Sequence, residues 1–345
     1  MIDSVRIRRF RCFESAEASG LGRINLVVGD NRSGKTAFLE ALYLTCGNSP
    51  ENHMKVRGWR GFGETLIKLS SSDVSSGALW RDLFFRFDTS AVASIDMSGS
   101  PSRSLSIALE ERATISVPVK GADVLAPVVF TWKDAKDKPL KSVPRFTEKE
   151  GLLLPIVAVG IQGAMLGPVS ARELARLFSD LDKRNMAKPV VEALRTQFPE
   201  IETVSVQIEE AVGQLLYAQI RSMPAKIPLP FVSAGINRLF AMLLNIETYP
   251  RGAVFIDEVE NGIYFRRLPE MWRSLDEASR RQGTQLFVST HSQETLNSLL
   301  SIIKGHESDF RLIRITRDDD GRSRIRVVKG IDFEAALEER VEVRG

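Results

Sequence analysis

The segment Gly29-Asp-Asn-Arg-Ser-Gly-Lys-Thr36 has the residue types and spacing that hold a chain of phosphates. Gly29 and Gly34 let the backbone curl, so that the N–H groups of Asp30, Asn31, Arg32 and Ser33 can face an anion at a helix start. Lys35 adds a mobile positive charge, and Thr36 offers a hydroxyl to Mg²⁺. A second centre is Ala253-Val-Phe-Ile-Asp-Glu258, an apolar strand ending in two acids. In that pattern the first acid, Asp257, holds the metal and the second, Glu258, acts as the catalytic base that orients water. A third is Gln285-Leu-Phe-Val-Ser-Thr-His291, where a strand delivers one imidazole to the carboxyl edge of a parallel sheet, within reach of a γ-phosphate or the attacking water. Asp257 lies 222 residues after Lys35, which leaves room for large inserted lobes.

Elements that position these groups are legible around them. Val5–Phe10 and Ile24–Val28 read as strands, the second more buried and running into the phosphate loop, and a helix is expected through Cys46. Residues 47–79 form a loop-rich connection, and short runs at 82–88, 91–97, 104–111, 113–119 and 127–133 read as an antiparallel β subdomain. A buried strand is expected over 152–159. Apolar spacing of three and four predicts helices over 170–181, 188–197 and 208–221, with Ser170 and Glu173 as a capping box. Gly235–Glu247 and Ile263–Arg281 are amphipathic helices around strand Ala253–Ile256, strand Gln285–Ser289 follows, and Phe310–Val328 is a hairpin turning at Asp320-Gly321, with a short helix from Asp332. The expected fold is α/β, a P-loop NTPase with a mixed central sheet, an antiparallel β subdomain and an inserted helical lobe. Its expected segments are 1–160 with the loop and the β-rich part, 161–230 as the helical lobe, and 231–345 with the remaining motifs.

Composition agrees with a folded globular chain of 345 residues: 43% of residues are hydrophobic, 26% are charged, and the net charge is +3. That charge is too small to name nucleic acid as partner, so any basic surface must be local. Two cysteines and three histidines leave no disulfide framework and little material for a zinc site, and the amino terminus lacks a signal-peptide core, so the cytoplasm is the simplest location. The uncharged stretch from Gly151 to Ala171 is interrupted by Pro155, Gln162, Pro168 and four glycines, which speaks against a membrane span.

Taken together, Ile7–Phe13 before Asn25–Thr36, Phe255-Ile-Asp-Glu-Val-Glu-Asn-Gly262 and Val288-Ser-Thr-His-Ser292 resemble the ABC-type ATPase heads of the RecF, SMC and OLD group. They are most similar to the compact bacterial AAA_15 and AAA_21 ATP-binding proteins. The resemblance implies ATP and Mg²⁺ as cofactors, hydrolysis of ATP, and a dimer closed on ATP binding or a higher oligomer. It places a signature at Val232-Ser-Ala-Gly235, where Ser233 and Gly235 open a helix toward the nucleotide of a second subunit; a helix cap with no such partner is the competing reading. Relatives usually carry Ser-Gly-Gly or Ser-Asp-Gly there. The resemblance also gives Gln162 the place of a metal-binding glutamine, against a solvated loop residue, and Arg11 a place in the nucleotide pocket, against an exposed strand arginine.

No heptad arm separates the motifs, and only 54 residues follow His291, too few for an appended Toprim nuclease; Asp318-Asp-Asp320 reads as a turn. The expected output is therefore a switch for a separate effector such as a nuclease, in defence against phage or mobile DNA. The alternative is a RecF-like DNA-binding ATPase in repair, using Arg6, Arg8, Arg9 and Arg11 and the arginines of 311–326. A small-molecule kinase would need an acceptor pocket and lid, whereas the Asp-Glu and Ser-Thr-His motifs point to water as acceptor.

Overall fold

The computed structural model describes residues 1–62, 69–110, 124–135, 138–157, 161, 163–167 and 170–338. Its strands are β1 (Ile2–Phe10), β2 (Phe13–Ser19), β3 (Ile24–Val28), β4 (Ala93–Gly99), β5 (Arg103–Leu109), β6 (Val124–Leu125), β7 (Val128–Asp134), β8 (Leu140–Ser142) and β9 (Arg145–Thr147). There follow β10 (Gly151–Leu153), β11 (Gly163–Leu166), β12 (Ile201–Glu209), β13 (Gly213–Ile220), β14 (Ile227–Pro228), β15 (Ala253–Ile256), β16 (Gln285–Ser289), β17 (Phe310–Arg317) and β18 (Ser323–Lys329). Two compact units interleave along the chain, the first from 1–21, 29–163 and 313–327, the second from 22–28, 164–312 and 328–345.

The first unit is built on an antiparallel sheet of order β2-β1-β4-β5-β7-β8. Alternation of apolar and polar residues sets its register, since a slip by one residue would turn every apolar side chain outward. One row, Ala16, Ile7, Ile95, Leu105 and Trp132, crosses five strands and is buried throughout. The helix Lys35–Cys46 covers this unit's core and is buried from Ala37 to Cys46; the Trp132 indole N–H donates to the Leu44 carbonyl at 3.2 Å. A smaller sheet, β10-β9-β6, completes the unit.

In the second unit β15, β16 and β3 are adjacent and parallel, with Ile256 beside Val288 and Val288 beside Leu26. All three strands are buried at every residue, as parallel strands covered on both faces must be. They belong to a mixed sheet of order β11-β15-β16-β3-β17-β18. Helices Ala234–Thr248 and Leu268–Gln282 pack on one another, and their Leu239, Leu243, Met271, Trp272 and Leu275 belong to one apolar core.

Several expectations change. Residues 208–221 are not helical: β12 and β13 pair as a long hairpin, and the buried Leu216, Ala218 and Ile220 show that period two wins over the three-and-four spacing. The segment 161–230 thus holds helices Ala171–Asp182 and Lys188–Gln197 followed by a β hairpin. Ser170 accepts from the Glu173 N–H at 3.4 Å and caps the first of them. The run 82–88 forms two 3₁₀ turns, Arg81–Leu83 and Phe85–Phe87, and the consecutive positive φ of Arg86 and Phe87 interrupts any extended run there. The connection 47–79 contains helices Glu51–Arg57 and Ser71–Ser75. The strand expected at 152–159 is only the half-buried β10, with 158–160 outside the described residues, as are the strand expected at 113–119 and Gln162. Among the described residues, no helix is long and apolar enough to cross a membrane.

Candidate functional site

In the first unit the phosphate loop has the backbone its glycines allow. Gly29 has φ of 145°, and a Cβ there would meet the Ile315 carbonyl oxygen at 2.0 Å; Gly34 has φ of 115°, and a Cβ there would meet Cys12 Sγ at 2.7 Å. Both positions are closed to any side chain. Asp30, Asn31 and Arg32 are exposed and Ser33 is buried, with its carbonyl accepting from the Ser323 hydroxyl. Lys35 folds back over the loop, its Nζ donating to the carbonyls of Gly29 at 2.7 Å and Asp30 at 3.0 Å. The helix that starts at Lys35 has no acid in its first turn and no side-chain cap, so its N–H groups and positive end suit an anion.

Arg11 is not an exposed strand arginine. Its guanidinium is buried, 3.0 Å from Glu40 and 3.7 Å from Asp82, and burial lowers its pKa against the pull of both acids. Glu40 lies on the helix that begins at Lys35, so Arg11 braces the element carrying the loop.

In the second unit β15 ends in Asp257 and Glu258, and β16 ends two residues before His291. The carboxyl ends of β3, β15 and β16 share one sheet edge, where α/β sheets collect functional residues. The buried Ser289 hydroxyl holds both acids: it donates to the Asp257 carboxylate and accepts the Glu258 N–H at 2.8 Å. Glu258 sits at a φ of 49°, which turns its side chain out of the strand direction, and Asn261 Nδ2 donates to Glu258 Oε2 at 2.6 Å. Arg238 donates to the Asp257 carbonyl at 2.7 Å, and burial lowers its pKa although Asp257, Glu258 and Glu260 all favour its charge. His291 Nδ1 lies 3.3 Å from Glu260 and 3.9 Å from Glu258.

Ser233 and Gly235 also belong to this unit. Ser233 is the N-cap of helix Ala234–Thr248, yet its side chain makes no capping bond. A Cβ at Gly235 would meet the Gly262 carbonyl oxygen at 2.5 Å, so glycine is what lets the helix start and the turn after Glu258 touch.

Ser289, Arg238, Glu260 and Asn261 were not singled out by their sequence context. Ser289, Glu260 and Asn261 fall inside the motifs quoted above, and that placement was the available signal; nothing local marks Arg238. Among the described residues, no three His, Cys, Asp or Glu side chains converge into a metal cage. Mg²⁺ does not require one, because it binds through one or two carboxylates, waters and substrate phosphates. The Asp257 carboxylate, which accepts from the Ser289 hydroxyl, is an oxygen donor of the kind that fits it.

Residues 24–297 match the family AAA_21, described as "AAA domain, putative AbiEii toxin, Type IV TA system". A Helicobacter pylori protein named ATP/GTP phosphatase is 22% identical over 356 residues, covering 92% of this chain and 93% of its own length. Among solved structures, an Smc head bound to the C-winged helix domain of ScpA covers 95% of this chain and 97% of its own, at 13% identity and a TM-score of 0.51. The Smc head domain with an extended coiled coil, bound to the C-terminal domain of ScpA from Pyrococcus furiosus, covers 98% and 99% at 12% identity and the same TM-score of 0.51. These two likenesses concern the fold, a P-loop NTPase with a mixed sheet. With its phosphate loop, its acidic strand end and a family match over most of its length, the chain belongs to the AAA_21 family.

Proposed function

We propose that this ATPase is a switch: Mg-ATP bound at the phosphate loop closes two copies on one another, hydrolysis releases them, and the change is read by a separate effector. The observation that supports the hydrolytic part most is the Ser289 hydroxyl, which fixes Asp257 and the Glu258 backbone at the end of a strand parallel to the one that feeds the loop. In this reading the N–H groups of residues 29–34 and Lys35 hold the phosphates, and Glu258 takes a proton from water while His291 acts on the γ-phosphate or that water. Thr36, Asp257 and, by resemblance, Gln162 would hold Mg²⁺, which neutralises phosphate charge when bound. Ser233 and Gly235 serve the nucleotide of the second copy. The relative named ATP/GTP phosphatase supports water as the acceptor.

The effector, a nuclease by resemblance, and a place in cytoplasmic defence against phage or mobile DNA belong to the same proposal. The RecF-like alternative is weaker, because six of its ten basic residues face acids. Arg6 pairs with Glu17, Arg8 with Asp96, Arg9 with Asp88, Arg11 with Glu40, Arg322 with Glu14 and Arg324 with Asp318. Paired guanidiniums give little net field for phosphates. Asp318–Asp320 lie in the hairpin turn closed by Gly321 N–H to the Asp318 carbonyl at 2.9 Å, which adds negative charge beside those arginines.

Phosphate release tests the reading. Wild type should release phosphate from ATP only with Mg²⁺; Lys35→Ala should lose nucleotide binding; Glu258→Gln should bind ATP and turn over about 10²–10⁴-fold more slowly. Transfer of the phosphoryl group to a metabolite without phosphate release would overturn it. Co-purification with the product of the neighbouring gene supports the effector, and full biological activity of the chain alone overturns that part.

A further inference from the structure

Glu260 stands three residues beyond Asp257, and its side chain is only 13% exposed, against 48% for Glu258 and 51% for His291. Its Oε1 accepts the His291 backbone N–H at 3.2 Å and lies 3.3 Å from Nδ1 of the same residue. Two independent contacts to one histidine, one to its backbone and one to its ring, define both where the residue sits and how its ring is turned. Glu258 is farther from that nitrogen, at 3.9 Å.

The turn carrying Glu260 is itself fixed. Val259 is fully buried and its N–H donates to the Ser289 carbonyl at 3.1 Å, while Ile263 N–H donates to the Glu260 carbonyl at 2.9 Å. Arg238 supplies positive charge to the same group of acids. Glu260 thus reaches His291 from a rigid, mostly buried position, whereas Glu258 is half exposed and is held at its tip by Asn261.

An imidazole has two distinct nitrogens, and the hydrogen bond made by one decides what the other can do. A carboxylate beside Nδ1 keeps the proton there. Nε2 then points to the opposite side of the ring, with its lone pair available in the neutral form. We infer that Glu260 is a positioning residue that fixes the ring and tautomer of His291, making Nε2 the nitrogen that acts in the reaction. Its consequence for turnover rests on the role proposed above for His291; the tautomer itself does not.

The chain has three histidines, so protein labelled with ¹⁵N at histidine gives three imidazole spin systems, each assignable by substitution. At a pH where His291 is neutral, wild type should show the Nδ1–H form. Glu260→Ala should shift it to the Nε2–H form that neutral imidazole prefers in water, and Glu260→Gln, whose amide oxygen still accepts, should keep the wild-type form. A wild-type spectrum already in the Nε2–H form overturns the inference with no variant needed, and so does a wild-type tautomer that Glu260→Ala leaves unmoved. Turnover reads the consequence: Glu260→Ala should lower kcat about 10–100-fold, the usual effect of removing a residue that orients an acting ligand or base, with a smaller change in KM. In a His291→Ala background it should add little, because the two residues act as a unit. A tautomer shift with unchanged kcat supports the positioning and overturns the role of His291 in hydrolysis.

Discussion

Ser289 is one atom group serving two acids, and its removal should separate binding from chemistry. Without the hydroxyl, Asp257 loses a donor and the Glu258 N–H loses its acceptor at the end of a buried strand. Ser289→Ala should reduce kcat about 10–100-fold while the chain stays folded, measured by phosphate release beside a thermal melt. An unchanged kcat would mean that the two acids hold their geometry unaided. His53 makes a different kind of prediction. It is fully buried, with Nε2 3.0 Å from the Leu79 carbonyl, and burial depresses its pKa from 6.5 to about 4. Between those values the unfolded chain takes a proton that the folded chain refuses. Stability should therefore be full above about pH 6.5, fall as pH drops through that window, and level off near 4, a loss on the order of 3 kcal/mol. His53→Gln should flatten that part of the curve in urea titrations run at each pH. A variant that keeps the wild-type slope would assign the slope to other groups.

The helix Lys35–Cys46 combines two demands, presenting its amino end to an anion and burying nearly all of its length. Glu40 is the one charged residue among those it buries, 1% exposed and facing Arg11 at 3.0 Å and Arg60 at 2.6 Å. Glu40→Ala should cost about 3–5 kcal/mol, because it takes from the buried Arg11 charge its nearer acid and leaves Asp82 at 3.7 Å, and the double variant Arg11→Met with Glu40→Leu should recover much of that loss. Equal destabilisation by the single and double variants in denaturant titrations would show that packing, not the unpaired charge, sets the cost. The same helix shows what a sequence can reveal. Its start follows from Gly34-Lys35-Thr36, and the preceding strand β3 from Ile24, Leu26, Val27 and Val28 running into the loop, so loop, strand and helix were readable from local pattern. The Glu40–Arg11 pair was not, because the partners sit 29 positions apart and no local rule joins them. The β12–β13 hairpin misled for the opposite reason: Ile208, Val212, Leu215 and Leu216 satisfy helical spacing, and only cross-strand pairing decides between the periods. Asp257, Glu258 and His291 were legible as strand ends, whereas Glu260 and Arg238 gain their roles only from the turn and helix that carry them.

At the scale of the whole molecule, the two units exchange the chain five times, so neither motif set can be read from one contiguous half. Within the second unit, three large aromatic side chains face solvent beside the helix start at Ser233. Phe231, just before it, is 81% exposed; Tyr264 and Phe265, just after the Gly262 that touches Gly235, are 56% and 55% exposed. Exposed aromatic groups of this size next to an uncapped helix end are the features an interface core would use. If ATP draws a second copy onto this face, blocking water activation should trap the pair, since hydrolysis is what reopens it. Glu258→Gln measured by light scattering should therefore double in mass on adding Mg-ATP and stay at one copy without it. Adding Phe231→Glu should abolish the doubling while leaving ATP binding at the phosphate loop intact, because Phe231 and the loop lie in different units. A mass that ignores Mg-ATP in the Glu258→Gln protein would place the switch within one copy or on its partner. A doubling that survives Phe231→Glu would keep the ATP-bridged pair and move its contact away from the aromatic face.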